Sequence, residues 1–331
     1  MCTSAVIETM ANQYILGRTM DFAFELEGEV IIIPRGFSLK TELASTKIVP
    51  TYGFVGTGRG AGNKYIFADG INEKGLSCAS LYFPEYAVYN DVETDGMLNL
   101  APHEMISFIL STFSTLAEVR TELKRINLVA LKADLLGIVL PLHWIIMDKF
   151  GKSLVIEPTK NGIEIHENAI GIMTNSPDYK WHVTNLRNYI GIQPKQVESM
   201  TLFDTEFKPF SQGTGTRGLP GDYAPTSRFV RAFYAKVVAL KSSCEIVAIH
   251  EAFHLFSSVD IPKGAVVTSE GTVDYTQYIS CMSSANLTYY TQTYYVPQIK
   301  AIHLSEDALS SKQPLHFDVL SMENSILSLN K

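Results

Sequence analysis

The fold of this chain is restricted most by the way its strand-forming segments follow one another in pairs. Residues 1–10 and 13–22 are rich in β-branched side chains, and the two residues between them predict a tight hairpin. Residues 139–148 and 153–157 flank a second turn and predict another hairpin. Strands joined in this way form antiparallel sheets, which excludes a fold built from parallel βαβ units.

Helices are predicted in blocks rather than between successive strands. Thr115 and Glu118 form a capping-box pattern that predicts a helix start, and Pro225 suits the first turn of another helix. No low-complexity linker divides the chain, so we predict an α+β fold in a single domain over residues 1–331. The remaining predictions are helices over residues 101–127, 225–240 and 244–257 and strands over residues 275–284 and 288–296.

Composition excludes several classes of protein. Apolar residues make up 46% of the 331 residues, which is enough for a large core, and the net charge of -7 predicts no nucleic-acid partner. Four cysteines in so long a chain do not form a disulfide framework. The N-terminus lacks the pattern of a signal peptide, and the apolar stretch 135–147 is too short to cross a bilayer. These features predict a cytoplasmic protein with no membrane partner.

Cys2 is the most informative single residue. Removal of the initiator Met1 is normal before a small residue, and it would leave Cys2 with a thiol and a free α-amine. An α-amine titrates near pH ~7.7–8.0 and can act as a base, while a thiolate is a strong nucleophile. One residue could therefore supply both the nucleophile and the base of an amide hydrolase.

Two charged residues support this interpretation. If two residues join the first hairpin, Cys2 lies opposite Asp21, and Arg18 lies near the same end. A carboxylate can hold an α-ammonium group, and a guanidinium favours a thiolate. The alternative is that a small residue stands at position 2 by chance.

Two other patterns suggest different chemistry. His250, Glu251 and His254 spell H-E-x-x-H on a predicted helix, the zinc-peptidase pattern, although the sequence that usually extends it is missing. A helix that contains these letters by chance is the alternative. The glycine-rich segments 56–62 and 213–218 resemble phosphate-binding loops but lack a following helix, so we predict loops near a pocket there.

Eight short motifs, spread in order over nearly the whole chain, resemble those of the cholylglycine hydrolase family, which contains bile salt hydrolases and penicillin V acylases within the N-terminal-nucleophile (Ntn) hydrolase superfamily. They are Met1-Cys2-Thr3 and residues 17–22 (GRTMDF), 69–76 (DGINEKGL), 141–144 (PLHW), 173–177 (MTNSP), 218–223 (GLPGDY), 227–229 (SRF) and 261–264 (IPKG).

The resemblance implies a four-layer αββα sandwich with two packed antiparallel sheets. It implies a nucleophile at Cys2, bared by loss of Met1, and an oxyanion site between the Asn175 amide and a backbone N–H near Tyr82. No metal and no organic cofactor is required. The catalytic residues that the resemblance implies are Cys2, Arg18, Asp21, Asn175 and Arg228.

The resemblance also bears on substrate and assembly. Tyr82 is typical of the penicillin V acylase branch, so it predicts an acylase-like enzyme for small N-acyl amides, with conjugated bile salt hydrolase as the alternative. The acyl side should be bulky and apolar, with pocket walls near residues 22–24, 58–65 and 129–139. Family members are usually homotetramers, which makes a homotetramer the expected assembly.

Overall fold

The computed structural model describes residues 1–10, 12–43, 46–134 and 136–319. Ala11, part of the predicted first turn, lies outside the described residues. Over the described residues the strands are β1 (Cys2–Glu8), β2 (Tyr14–Phe22), β3 (Glu29–Ile33), β4 (Leu39–Lys40), β5 (Lys47–Ile48), β6 (Phe54–Ala61), β7 (Lys64–Phe67), β8 (Asp69–Asn72), β9 (Ser77–Tyr82), β10 (Leu98–Leu100), β11 (Ile126–Leu128), β12 (Leu142–Met147), β13 (Ser153–Thr159), β14 (Gly162–Glu167), β15 (Ile172–Met173), β16 (Met200–Leu202), β17 (Thr205–Phe207), β18 (Val266–Val267), β19 (Val273–Ser283), β20 (Thr288–Thr293), β21 (Val296–His303) and β22 (Leu315–Phe317).

Helices at residues 225–238 and 245–257 lie where they were predicted, with small changes of boundary, whereas those at residues 179–185 and 306–309 had not been predicted. The helices are α1 (Met105–Thr112), α2 (Leu116–Glu122), α3 (Tyr179–Asn185), α4 (Pro225–Val238), α5 (Glu245–Ser257) and α6 (Glu306–Leu309). The capping box of Thr115 and Glu118 is confirmed at the start of α2. The single helix predicted over residues 101–127 is wrong, because the backbone is extended at Phe113 and residues 126–128 pair with β10. None of the helices in the described residues is long and apolar enough to span a membrane.

Two large antiparallel sheets form the centre of the molecule. The first contains seven of the described strands in the order β15-β1-β2-β19-β20-β21, with β18 added beside β19. The second contains nine in the order β14-β13-β12-β9-β8-β6-β3-β22, with β7 added beside β6. Helices α4 and α5 pack on the first sheet, and α1 packs on the second. The architecture is the four-layer αββα sandwich of Ntn hydrolases.

Alternating side chains in the central strands explain these layers. In β3, Val30 and Ile32 join one hydrophobic cluster, which lies between the sheets and under α4 and α5, whereas Ile31 and Ile33 join a second cluster beneath α1. A strand that is apolar on both faces must be covered on both sides, since successive side chains point in opposite directions. The nine-stranded sheet is therefore an inner layer.

The predicted register of the first hairpin is wrong by one residue. Thr9 N–H donates to Gln13 O at 2.9 Å, so the connection is one residue longer than a two-residue turn. Cys2 consequently pairs with Met20, and Arg18 pairs with Ser4. Directly opposed residues share a face, which places the side chains of Cys2 and Arg18 on one face of the sheet. Asp21, predicted to lie opposite Cys2, instead belongs to the other face.

The first glycine-rich segment is a strand rather than the predicted loop. Gly56, Gly58 and Gly60 alternate along β6, which pairs with β3, β7 and β8. A Cβ atom at Gly56 would lie 2.0 Å from Asp69 O, and one at Gly58 would lie 2.6 Å from Ile66 O. These glycines permit neighbouring backbone to approach closely. The second glycine-rich segment, residues 213–218, is a turn with a short 3-10 helix, so the predicted loop is confirmed there, while its position near a pocket remains a prediction.

Candidate active site

Cys2 is the first residue of β1, at the interface of the two sheets. Its side chain is buried, with 2% exposure, and still lines a pocket. Arg18 Nη2 donates a hydrogen bond to Cys2 Sγ at 2.9 Å, and Met20 Sδ lies 3.9 Å from the same sulfur. The corrected register produces this contact, because Cys2 and Arg18 lie on the same face of adjacent strands. A fixed positive charge beside a sulfur favours its thiolate form.

Arg18 is held by a buried carboxylate that the sequence analysis did not single out. Arg18 Nη1 donates to Asp69 Oδ2 at 3.0 Å, and neither side chain is exposed. Tyr278 donates to the same oxygen at 2.7 Å, and Tyr289 donates to Asp69 Oδ1. Burial lowers the pKa of Arg18, but the negative charges of Cys2 and Asp69 raise it by more, so the net shift is upward. The guanidinium is thus a permanent, oriented cation.

Asp69 is the residue that pattern reasoning missed. Its signal was present in the motif 69–76, but a strand-end aspartate in isolation has no feature that separates it from a turn former. Its importance depends on Arg18 and two tyrosines that are far away in the sequence.

Asp21 lies beside the peptide bond that joins Met1 to Cys2. Its N–H donates to Met1 O at 2.9 Å, and its carboxylate accepts hydrogen bonds from Thr276 at 2.6 Å and Thr19 at 3.1 Å. Burial raises the pKa of Asp21, although the nearby positive charges of Arg228 and the N-terminus oppose that shift. The carboxylate is therefore placed to interact with a cation at the start of the chain.

Arg228, from the first turns of α4, connects the start of β1 with Asn175. Its Nη1 donates to Cys2 O at 2.6 Å, and its Nη2 donates to Asn175 Oδ1 at 2.6 Å. The same Arg228 Nη1 lies 3.8 Å from Asp21 Oδ2. Burial lowers the pKa of Arg228, and the charges of Asp21 and Cys2 act in the opposite direction.

The orientation of the Asn175 amide is determined by its donors. Asn175 Oδ1 accepts from Arg228 and also from Cys2 N at 2.8 Å, so Nδ2 must point the other way, where it donates to Tyr82 O at 2.7 Å. One Nδ2 proton is left for another acceptor. In an antiparallel ladder, the N–H groups of successive residues point to opposite sides of the strand. Phe83 N–H points to the side of β12, where it donates to Pro141 O, so the Tyr82 N–H points away from β12.

Buried histidines position the segment that carries Asn175. His182 donates from Nε2 to Asn175 O at 2.8 Å, and His143 donates from Nε2 to Thr174 O at 2.8 Å. Burial lowers the pKa of His182 to about 4, which keeps the ring neutral. Burial alone would raise the pKa of Glu157, but hydrogen bonds from His143 and His166 lower it to about 2. This network holds the backbone carbonyl groups of Thr174 and Asn175, and with them the segment that presents the Asn175 side-chain amide to Cys2.

A pocket of about 790 Å³, part of it open to solvent, extends from Cys2. Its walls are mainly apolar, and residues from all three predicted wall segments contribute, which confirms that prediction; Gly58 does so from a strand. Tyr82 meets the ring of Phe22 edge to face, with centroids 5.5 Å apart. Burial raises the pKa of Tyr82, so its hydroxyl stays protonated. Residues that represent the walls are Phe22, Phe24, Leu26, Gly58, Leu136 and Leu140.

The structure brings together every residue in the predicted Cys2 site. Cys2, Arg18, Asp21, Asn175 and Arg228 are joined by direct contacts, and Tyr82 is joined through its carbonyl oxygen. His250, Glu251 and His254 instead lie on the exposed side of α5. No cluster of three or more His, Cys, Asp or Glu side chains suited to a metal occurs in the part of the chain that the structure describes. The zinc-peptidase alternative therefore has no geometric support.

Comparison with known proteins agrees with this geometry. The bile salt hydrolase/transferase of Clostridium perfringens is 36% identical over 313 residues, which cover 95% of each chain. The conjugated bile acid hydrolase of Lactobacillus gasseri is 32% identical over 94% of this chain and 98% of its own. The penicillin V acylase of Pectobacterium atrosepticum is 24% identical over 88% of this chain and 77% of its own.

Solved structures show the same fold. The mutant C2A conjugated bile acid hydrolase from Clostridium perfringens superposes with a TM-score of 0.91 at 34% identity, covering 100% of this chain and 99% of the other. Penicillin V acylase from Agrobacterium tumefaciens superposes with a TM-score of 0.74 at 23% identity, covering 92% of this chain and 87% of the other, which supports the fold alone.

An αββα sandwich with Cys2 at the head of a central strand defines the chain as an Ntn hydrolase. The family model described as "Linear amide C-N hydrolases, choloylglycine hydrolase family" matches residues 2–317. The chain belongs to the choloylglycine hydrolase family, and it is a hydrolase of linear amide bonds. The acylase preference predicted from Tyr82 receives less support than its alternative, because the relatives at 31–36% identity are named as bile salt or bile acid hydrolases.

Proposed function

We propose that this protein hydrolyses the amide bond of conjugated bile salts, with Cys2 as the nucleophile. The observation that carries the proposal is the Cys2 sulfur, hydrogen-bonded to Arg18 and located at the wall of an apolar pocket. A bulky, largely apolar acyl group would bury its surface there, next to the sulfur. The names of the more similar relatives support a bile acid as that acyl group.

The catalytic sequence begins with the loss of Met1. The freed Cys2 amine accepts the thiol proton. Asn175 Oδ1, 2.8 Å from the amine nitrogen, accepts a hydrogen bond from it, and Asp21 is a negative charge nearby. The Cys2 sulfur attacks the amide carbonyl carbon and forms a tetrahedral oxyanion. The α-ammonium then gives its proton to the leaving amine, the C–N bond breaks, and water hydrolyses the thioester.

The oxyanion would be held by two donors. Asn175 Nδ2 has one proton beyond the one given to Tyr82 O, and the Tyr82 N–H points away from the neighbouring strand β12. Donors that are fixed before the reaction stabilise charge without reorganisation, and one of them is typically worth about 2.7–4 kcal/mol in the barrier. Arg18 and Arg228 add fixed positive charge around the thiolate.

A chain that keeps a residue before Cys2 is expected to be inactive, because the Cys2 nitrogen is then a non-basic amide. The measurement compares one protein carrying an uncleaved N-terminal extension with the same protein after proteolysis that leaves Cys2 first, using amine release as the assay. A C-terminally tagged chain processed to Cys2 serves as the matched control. Equal activity before and after cleavage would contradict the role of the α-amine.

The substrate is tested by measuring amine release from glycocholate and penicillin V at equal concentration. We expect faster release from glycocholate, with Cys2→Ala as the blank for both substrates. Penicillin V acylase activity is the second candidate, favoured by the Tyr82 ring, which packs against Phe22 and could stack on an aryl group. Faster release from penicillin V would favour that second candidate and contradict the assignment to bile salts.

The expected homotetramer is supported by one region of the surface. Residues 188–223 carry large apolar side chains that are almost fully exposed in the single chain, among them Ile190 at 87%, Phe203 at 97% and Phe210 at 90%. Several large apolar side chains exposed within one segment are the kind of surface that an interface between copies would cover. The tetramer, the single-domain organisation and the cytoplasmic location remain predictions.

A further inference from the structure

The segment that connects β2 to β3 supplies one wall of the substrate pocket. Phe22 ends β2, Phe24 and Leu26 follow it, and all three side chains line the pocket. The rings of Phe22 and Phe24 meet edge to face, with centroids 4.5 Å apart. Residues 23–28 lie in neither a helix nor a strand. The ladder of β2 ends before this wall, so the position of the wall depends on contacts made by side chains.

Gln277, on β19, makes such contacts with the backbone of this segment. Its Nε2 donates to Phe22 O at 3.1 Å and to Phe24 O at 2.7 Å, and its Oε1 accepts from Leu26 N at 3.0 Å. Two carbonyl groups can only accept and a backbone N–H can only donate, which fixes the orientation of the Gln277 amide. One side chain therefore holds the backbone of all three wall residues.

A β-bulge directs Gln277 to this position. On β19, Thr276 and Tyr278 pair with adjacent residues of β2, Asp21 and Met20, and Gln277 is the extra residue between them. Bulges next to active sites commonly change the direction of a side chain. The residue that leaves the ladder here places its amide at the end of β2, where the wall segment begins.

The other polar contacts of the segment involve its exposed side chains. Tyr275 donates to Glu25 at 2.6 Å, and Arg59 Nη2 lies 3.3 Å from Glu27. Both glutamates are exposed, and exposed ion pairs contribute little to stability. Gln277 differs from these contacts because it holds the backbone that carries the wall residues.

We propose that Gln277 is a positioning residue that fixes the acyl-binding wall and so determines how tightly a bulky acyl group binds. The inference rests on the proposed function in placing the acyl group in this pocket. It applies to a bile acid and to a phenoxyacetyl group alike, because either would contact the same wall. Gln277 is not among the residues that line the pocket, so its effect on the substrate passes through Phe22, Phe24 and Leu26.

The expected effect falls on binding. A wall that is already ordered receives the acyl group without further cost, whereas a loose wall must be ordered by the substrate. The bond-breaking step at Cys2 uses other groups, so loss of Gln277 should raise KM and change kcat less.

Gln277→Met tests this role, because methionine has a similar length but cannot form the three hydrogen bonds. We expect KM for glycocholate to rise about three- to tenfold, the value of one neutral hydrogen bond. Gln298→Met, at an exposed position of β21, is the matched control and should leave both kinetic constants unchanged. An unchanged KM in Gln277→Met would overturn the inference, as would a loss confined to kcat, which is the result expected from a smaller fraction of folded enzyme.

Hydrogen exchange provides a readout that needs no substrate. The Leu26 N–H loses its acceptor in Gln277→Met, so a peptide covering residues 22–28 should exchange about three- to tenfold faster, while β12 should exchange as in wild type. Exchange at the wild-type rate in residues 22–28, or a similar increase in β12, would overturn the inference. Absence of glycocholate hydrolysis by the wild-type protein would contradict only the proposed function, and KM would then be compared with penicillin V.

Discussion

Cys2→Ala is expected to reduce amide hydrolysis to background while the protein stays folded. The substitution removes the only group proposed to form the thioester, and loss of the nucleophile of a serine protease costs about 10⁶-fold in kcat. The lost sulfur is one atom in a buried position, so the free energy of unfolding should fall by only about 1 kcal/mol. Amine release and urea unfolding measure the two quantities separately.

Cys244→Ala is the matched control for that experiment. Cys244 is exposed at the start of α5 and contacts no proposed catalytic group, so its loss should leave both activity and stability unchanged. Substantial hydrolysis by the Cys2→Ala protein would refute the thioester mechanism. Loss of activity in both variants would point to a general effect of removing thiols rather than to a nucleophile at Cys2.

Asp69→Asn is expected to lower both stability and the reactivity of Cys2. Removing one partner of a buried ion pair leaves the other charge uncompensated and typically costs about 3–5 kcal/mol, and Arg18 and Asp69 are both fully buried. The two tyrosine hydroxyls would also lose a charged acceptor. Arg18 would then be less well fixed beside Cys2 Sγ, so alkylation of Cys2 by iodoacetamide should slow at neutral pH.

Glu122→Gln provides the comparison for Asp69→Asn. Glu122 forms an exposed ion pair with Arg125 at 3.2 Å, and such pairs contribute about 0.2–1 kcal/mol. Urea unfolding of both variants measures the difference in stability. Alkylation of the folded proteins, without urea, measures the reactivity of Cys2. Asp69 would not be positioning Arg18 if Asp69→Asn lost no more stability than Glu122→Gln. The same would follow if Cys2 in the Asp69→Asn protein were alkylated at the wild-type rate.

The local elements were largely predictable because their causes are local. The Thr115–Glu118 capping box starts α2, and Pro225 starts α4, since the hydrogen bonds and backbone angles involved concern a few adjacent residues. The break at Phe113 was missed because the strand that replaces the end of the predicted helix needs β10 as a partner. Pairing with a distant segment overrides local preference.

The candidate site was predictable only in its chemistry. Cys2 suggested a nucleophile through its own thiol and α-amine, but Asn175 and Arg228 have no individual feature that separates them from a turn former and a helix residue. Both residues were predicted to belong to the site from the family resemblance. The structure joins them by hydrogen bonds of 2.6 and 2.8 Å around a single amide oxygen.

By itself, the sequence determined the antiparallel α+β class, the hairpin order of the strands and the chemistry available at Cys2, because these follow from alternation, turn residues and side-chain type. Only the tertiary structure decided that Arg18 rather than Asp21 shares a face with Cys2, and that Asp69 fixes Arg18. The reason is physical: register, burial and hydrogen-bond partners depend on atoms that come together only when the sheets pack.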